Sequence, residues 1–101
     1  MPRRALVMHP GDNVATAVEE IQAGEEVRVP VGRQAVTLRA GERIPFGFKI
    51  ALCDIPRGEV IRKYGEPIGR AGVPIATGAL VHVHNLEGTR ARGDLHRRGA
   101  P

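Results

Sequence analysis

Two histidines stand two residues apart in LVHVHN, Leu80 to Asn85, and imidazole is the side chain whose ordinary titration falls nearest neutrality. On a strand, His82 and His84 share a face with Leu80 while Val81 and Val83 take the other. Paired imidazoles on one face can transfer a proton, meet a carboxylate or help to hold a metal. The spacing alone leaves a second reading open, two hydrogen-bonded or solvated strand histidines. A metal centre needs a third and usually a fourth ligand. His9 and His96 are the other histidines and Cys53 is the single cysteine, so no metal site is expected within the chain itself.

Three further stretches carry chemistry. HPGDNV, residues 9–14, places His9 ahead of Asp12 and Asn13. Asp12 reads as the N-cap of a helix, and a helix N-terminus favours anions through its unpaired N–H groups. IPFGFKIAL, residues 44–52, sets Lys49 on the opposite face from Phe48, Ile50 and Leu52. KYGEPIG, residues 63–69, gathers Lys63, Tyr64 and Glu66 around two glycines. Lys49 and Lys63 are the only two lysines beside 13 arginines. Where arginine is the rule, a lysine marks a place for a compact ammonium, or falls there by chance. No phosphate loop, nucleophile elbow or pair of catalytic carboxylates is evident.

Short strands must position these groups. VRVPV (27–31), AVTLR (35–39) and FKIALCD (48–54) alternate apolar and polar residues with the period of two that marks half-buried strands. ALVM (5–8), VIRKY (60–64) and LVHVH (80–84) read as further strands. Residues 12–24 read differently. Val14, Val18 and Ile21 fall at helical spacing, with Asp12 to cap the start and Gly24 to close the end, so one helix of about three turns is expected there. A local pattern recurs in IQAGEEV (21–27), LRAGERI (38–44), IPRGEVI (55–61) and IATGALV (75–81): an aliphatic residue, then Gly24, Gly41, Gly58 or Gly78, then a strand start. Each glycine is expected to supply positive φ at a sharp turn. The expected class is mostly β, a compact domain of short strands with one short α-helix over residues 1–86. Residues 87–101 are expected to form a basic, flexible tail.

Length and composition bound the function. The chain has 101 residues, room for one small domain. Its aromatics are Phe46, Phe48 and Tyr64, so the core must be aliphatic. The net charge of +4 suggests nucleic acid at first sight. Half of that excess sits in the tail, in Arg90, Arg92, Arg97 and Arg98 against Glu87 and Asp94, and the body carries 11 basic and 9 acidic residues. Nucleic-acid binding is therefore not expected, and the stacking aromatics of RNA recognition are scarce. No segment reads as a bilayer span or a signal peptide, and the chain reads as cytoplasmic. Cys53 reads as a small buried side chain of a strand.

Taken in order, HPGDNVATA, IPFGFKIALCDI, VIRKYGEPIG and GALVHVHNL resemble the N-terminal domain of altronate and galactarate dehydratases, a SAF-type β-clip domain, over roughly residues 5–86. The small subunit of (2R)-sulfolactate sulfo-lyase is similar. The resemblance implies a small subunit or N-terminal domain of a carbon–oxygen or carbon–sulfur lyase, completing a site on a larger catalytic chain and inactive alone. The reaction implied is loss of water from a sugar acid such as altronate or galactarate, or of sulfite from sulfolactate. It implies a divalent metal, Fe(II), held mainly by the partner chain. His82 and His84 are then the candidate catalytic residues. His9, Asp12, Asn13, Lys49, Lys63, Tyr64, Glu66 and Asn85 are the candidate substrate-binding residues. The family commonly has a histidine before the motif lysine, where this chain has Phe48, and that departure bears on the substrate. A SAF module that binds sugar acids without catalysis, or that organises a homo-oligomer, is the alternative.

Overall fold

The computed structural model describes residues 2–88. Nine strands follow in order: β1 (Arg3–Leu6), β2 (Val14–Ala17), β3 (Glu26–Val31), β4 (Gln34–Arg39), β5 (Lys49–Ala51), β6 (Val60–Lys63), β7 (Glu66–Ala71), β8 (Leu80–Val81) and β9 (Leu86–Glu87). They form a six-stranded sheet, β4-β3-β1-β2-β5-β8, and a three-stranded sheet, β6-β7-β9. Neighbours are antiparallel except for β1 and β3. The mostly-β expectation holds. The expected tail lies outside the described residues beyond residue 88, and Glu87 pairs with Arg70 in β9. Among the described residues no helix is long and apolar enough to cross a membrane.

The helix expected over 12–24 is absent; Val14–Ala17 is strand β2, held between β1 and β5. The reason is burial on both faces. Ala15 and Ala17 pack into one aliphatic cluster with Ala5, Val27, Val29 and Ile50, while Val14 packs into a second with Ala51, Ile61 and Val81. A strand covered on both sides shows no alternation, so the chance spacing of Val14, Val18 and Ile21 imitates a helical stripe. The core is aliphatic, as expected, but Cys53 does not join it: β5 ends at Ala51, and Cys53 follows it as an exposed residue. Ile21, Ile44, Ile50, Ile55 and Ile61 are the largest fully buried side chains, each contributing about 1.5–3 kcal/mol.

The glycine turns are arranged as two structural repeats. Ile21 and Ile44 bond each other's backbone N–H and C=O in an isolated bridge, and Ile55 and Ile75 do the same. Around the first bridge, Gly24 N donates to Ala40 O and Gly47 N to Ala17 O; around the second, Gly58 N donates to Ala71 O and Gly78 N to Ala51 O. Gly24, Gly47, Gly58 and Gly78 have φ of 86°, 87°, 87° and 88°. Each turn is closed from the residue after its glycine, Glu25, Phe48, Glu59 or Ala79, back to the carbonyl three residues earlier. This corrects the sequence pattern at one position. Gly41 is not a positive-φ residue, and Gly47 fills its place in the repeat. Gly41 N instead donates to Gly78 O at 2.9 Å, bracing another of the turns.

Candidate functional site

The second hairpin carries the KYG motif, and its turn has a conformation few residues adopt. Tyr64 (φ 59°) and Gly65 (φ 76°) are both left-handed, between Lys63 and Glu66, which pair across the strands. Two left-handed central residues make the tight hairpin turn that matches strand twist. Tyrosine enters this region at a cost, and Asp12 holds it there. The Asp12 carboxylate, 8% exposed, accepts from Tyr64 N at 2.8 Å and Gly65 N at 2.7 Å. Asn13 fixes the strands behind the turn. Its Nδ2 donates to Val60 O and its Oδ1 accepts from Arg62 N, at 3.0 and 2.9 Å, across the irregularity between Ile61 and Arg62. Asp12 is thus not a helix cap; with Asn13 it anchors a hairpin about 50 residues on.

His9 lies against the same turn. Its Nδ1 accepts from Gly11 N at 3.0 Å, which leaves Nε2 to carry the proton of the neutral ring. A Cβ on Gly65 would sit 3.0 Å from the imidazole Cδ2, so the missing side chain makes room for the ring. On the other side, the Lys63 ammonium stands 4.9 Å from the Tyr64 ring centroid, a cation–π distance. Glu66 is exposed.

Lys49 completes this group. It sits on β5 opposite Thr16 of β2 and Val81 of β8. Burial, and then the positive charge of Lys63, push its pKa below the ordinary lysine value. Two lysines close enough to repel, one of them half-buried, form a place where an anion relieves both penalties. His9, Asp12, Asn13, Lys63 and Tyr64 thereby come together around one hairpin, and Lys49 stands within reach of the Lys63 charge.

His82, His84 and Asn85 form a neighbouring group. The expected strand through both histidines stops at Val81, and residues 82–85 turn. Asn85 closes that turn: its Oδ1 accepts from His82 N at 2.9 Å and its Nδ2 donates to Leu80 O at 2.8 Å. Asn85 is 7% exposed, and its carboxamide is engaged at both ends. His82 tilts against Phe48, ring centroids 4.7 Å apart. With Lys49 opposite Val81, that contact lies on the face of β5 away from Lys49. His84 is exposed on the turn. The two imidazoles do not share a strand face.

The sequence reading missed the packing of Phe48 on His82 and the anchoring by Asp12 and Asn13. The Tyr64–Gly65 turn was the local signal for the anchor, but the sequence does not say which carboxylate reaches its amides. Among the described residues no three His, Cys, Asp or Glu side chains gather as metal ligands. Both Asp12 oxygens are bonded to backbone amides and the His9 Nδ1 is occupied, so the cluster does not fit a metal centre.

The anchor gives a direct prediction. Asp12→Ala leaves two amides without their acceptor and is expected to cost about 2–3 kcal/mol. Urea unfolding should show the lower midpoint, and hydrogen exchange the loss of protection at Tyr64 and Gly65. An unchanged midpoint would mean that the turn holds itself.

Comparison with known proteins identifies the family. Residues 3–89 match the family described as "Altronate/galactarate dehydratase SAF domain". The chain is 42% identical to altronate dehydratase of Escherichia coli (strain K12) over 92 residues, which is 91% of this chain and 18% of that protein. It is 41% identical over 77 residues to galactarate dehydratase (L-threo-forming) of the same organism, covering 75% of this chain and 14% of the relative. It is 35% identical over 89 residues to the (2R)-sulfolactate sulfo-lyase subunit alpha of Chromohalobacter salexigens, covering 84% of this chain and 95% of the relative. The chain therefore spans less than a fifth of the two dehydratases and nearly all of the sulfo-lyase subunit. A sheet-built module whose hairpin and turns carry all four motifs, matched across almost its whole described length, belongs to the altronate/galactarate dehydratase SAF domain family.

Proposed function

We propose that this chain works as the small subunit, or a domain, of a lyase that removes water from a sugar acid such as altronate or galactarate, completing a site on a larger catalytic chain. What supports this reading is a module found in both kinds of relative, on which Lys49 is half-buried and within reach of the Lys63 charge, so that a bound anion would offset its penalty. Elimination beside a carboxylate begins with loss of the proton at C2. That electron pair forms the C2=C3 bond as the C3 substituent leaves, and the resulting enol becomes a 2-oxo acid. Negative charge grows on the carboxylate in the transition state, and nearby fixed cations lower the barrier. Lys49 and Lys63 hold the carboxylate, Tyr64 and His9 border it, and the base for C2 comes from the larger chain or from His84. In this reading the chain supplies only part of the site and the larger chain the rest of the substrate pocket, so the chain is inactive by itself. The divalent metal of the resemblance, Fe(II), belongs in this reading to the larger chain.

The match to nearly all of a sulfo-lyase subunit favours a second leaving group. Sulfite leaving C3 of sulfolactate is the same elimination with a C–S bond broken. The test of both is to recover tagged chain from its native extract in the cytoplasmic fraction. The complex is then assayed, with ferrous iron added, on aldonic acids, aldaric acids and sulfolactate. A stoichiometric larger partner with eliminating activity supports the reading, and the substrate turned over decides between water and sulfite. Binding of sugar acids by the chain with no such partner supports a non-catalytic module and sinks it.

The histidines differ in expected effect. His84→Ala should lower turnover of the complex at least tenfold with an unchanged melting temperature. His82→Ala, on the face of β5 away from Lys49, should cost about 1 kcal/mol of stability through the lost Phe48 contact and lower turnover less than His84→Ala does. Wild-type rates in both would remove the histidines from the site.

A further inference from the structure

The two repeats are not equally furnished. In the first, Glu20 and Arg43, which precede the bridged Ile21 and Ile44, form an ion pair at 2.7 Å. The corresponding residues of the second repeat precede Ile55 and Ile75, and they are Asp54 and Pro74. The acid is kept and the arginine is missing. In its place is a hollow of about 330 Å³ lined by Asp54, Ile55, Pro56, Pro74, Ile75 and Ala76. Asp54 is its one charged lining residue. Asp54 Oδ1 accepts from the Thr77 amide at 2.9 Å and the Thr77 hydroxyl at 2.8 Å, which fixes the carboxylate and holds its pKa below the ordinary aspartate value. No described residue bonds Oδ2.

We propose that this hollow is a docking site for an arginine side chain presented by a partner protein, which takes the place that Arg43 takes in the first repeat. Charge and shape together select a guanidinium. A carboxylate fixed through one oxygen lines the hollow together with proline and isoleucine. A guanidinium pairs with a carboxylate along its edge and lies flat on apolar surface with its faces. A lysine ammonium would meet the carboxylate but keep its hydration away from the prolines. The first repeat shows the pairing made within the chain; the second offers the acceptor half. The inference does not depend on the lyase reading, and the larger chain proposed above is one protein that can present the arginine.

The test uses the isolated chain and two capped tripeptides, Gly-Arg-Gly and its citrulline counterpart, which has the same shape without the charge. Two-dimensional NMR should show saturable shifts at the Thr77 amide and the Ile55 and Ile75 methyls with the arginine peptide, and at least tenfold weaker binding of the citrulline peptide. Asp54→Asn should abolish the binding. Pro74→Arg should abolish it too, because it supplies the missing arginine in cis and rebuilds the ion pair of the first repeat. Equal binding of the two peptides, stronger binding of a leucine peptide, or undiminished binding by Pro74→Arg would overturn the proposal.

Discussion

Lys49→Met is expected to lower the elimination rate of the assembled enzyme at least a hundredfold while raising the stability of this chain at neutral pH. A hundredfold is about 2.7 kcal/mol of transition-state stabilisation, the range seen when a fixed charge or donor is taken from an anion site. The stability change has the opposite sign for a physical reason. Burial and Lys63 depress the Lys49 pKa in the folded state, so the unfolded chain binds the proton more tightly. Stability of the wild type then rises as pH climbs from the depressed folded value toward the ordinary 10.5. Below that window the folded state carries the full penalty of a half-buried, repelled ammonium. Methionine keeps the apolar stem and removes the charge. The melting temperature of Lys49→Met should therefore exceed wild type at pH 7, and the gap should close above pH 10.5. A residue kept for folding would show the reverse, a loss of stability on replacement. Activity unchanged in the variant would remove Lys49 from the site.

The second large effect concerns the frame. Gly78→Ala is expected to cost about 2–5 kcal/mol of stability, while Gly24→Ala at the corresponding kind of turn costs only about 1–2 kcal/mol. Both glycines have left-handed φ, 88° and 86°, and a Cβ there costs about 1–2 kcal/mol by itself. They differ in what the Cβ meets. At Gly24 nothing lies within 4 Å; at Gly78 the added carbon would run into the Arg39 carbonyl oxygen and come within 3.2 Å of Gly41 N. Those are backbone atoms, and Gly41 N is already committed to Gly78 O. Displacing them adds the cost of overpacking, about 1–3 kcal/mol more. That total, about 2–5 kcal/mol, is a large part of a small domain's stability, about 5–15 kcal/mol. Urea unfolding of the two variants side by side decides the point. Equal midpoints would mean that the Gly78 turn relaxes freely.

The sequence reading succeeded where local chemistry decides structure. Alternating valines in β3 and the glycine turns at 24, 58 and 78 are local signals, and the structure follows them. It failed where a distant partner decides. Val14–Ala17 became a strand because β1 and β5 cover its two edges and two clusters cover its faces, none of which a window of 13 residues displays. Gly41 and Gly47 lie six residues apart, and only the pairing of Ile21 with Ile44 selects Gly47 as the turn glycine. LVHVH alternates as a strand should, yet Asn85 folds it back after Val81 by bonding His82 N and Leu80 O.

The candidate site divides the same way. The lysines stand out in the sequence by their rarity. Their common location depends on the Asp12 contacts to Tyr64 and Gly65, which span 52 and 53 residues, and on the strand order that sets β5 beside β2. The place of Phe48 in the motif read as a departure. The structure gives it a partner, His82, which shows what an aromatic ring does at that position.

The most direct measurement of the central claim is the rate of 2-oxo acid formation by the purified larger chain with and without this chain, at saturating sugar acid and ferrous iron. Negligible turnover by either component alone, turnover when they are mixed in equal amounts, and loss of that gain with Lys49→Met are expected. Full turnover by the larger chain alone, unaffected by adding this one, would contradict the claim.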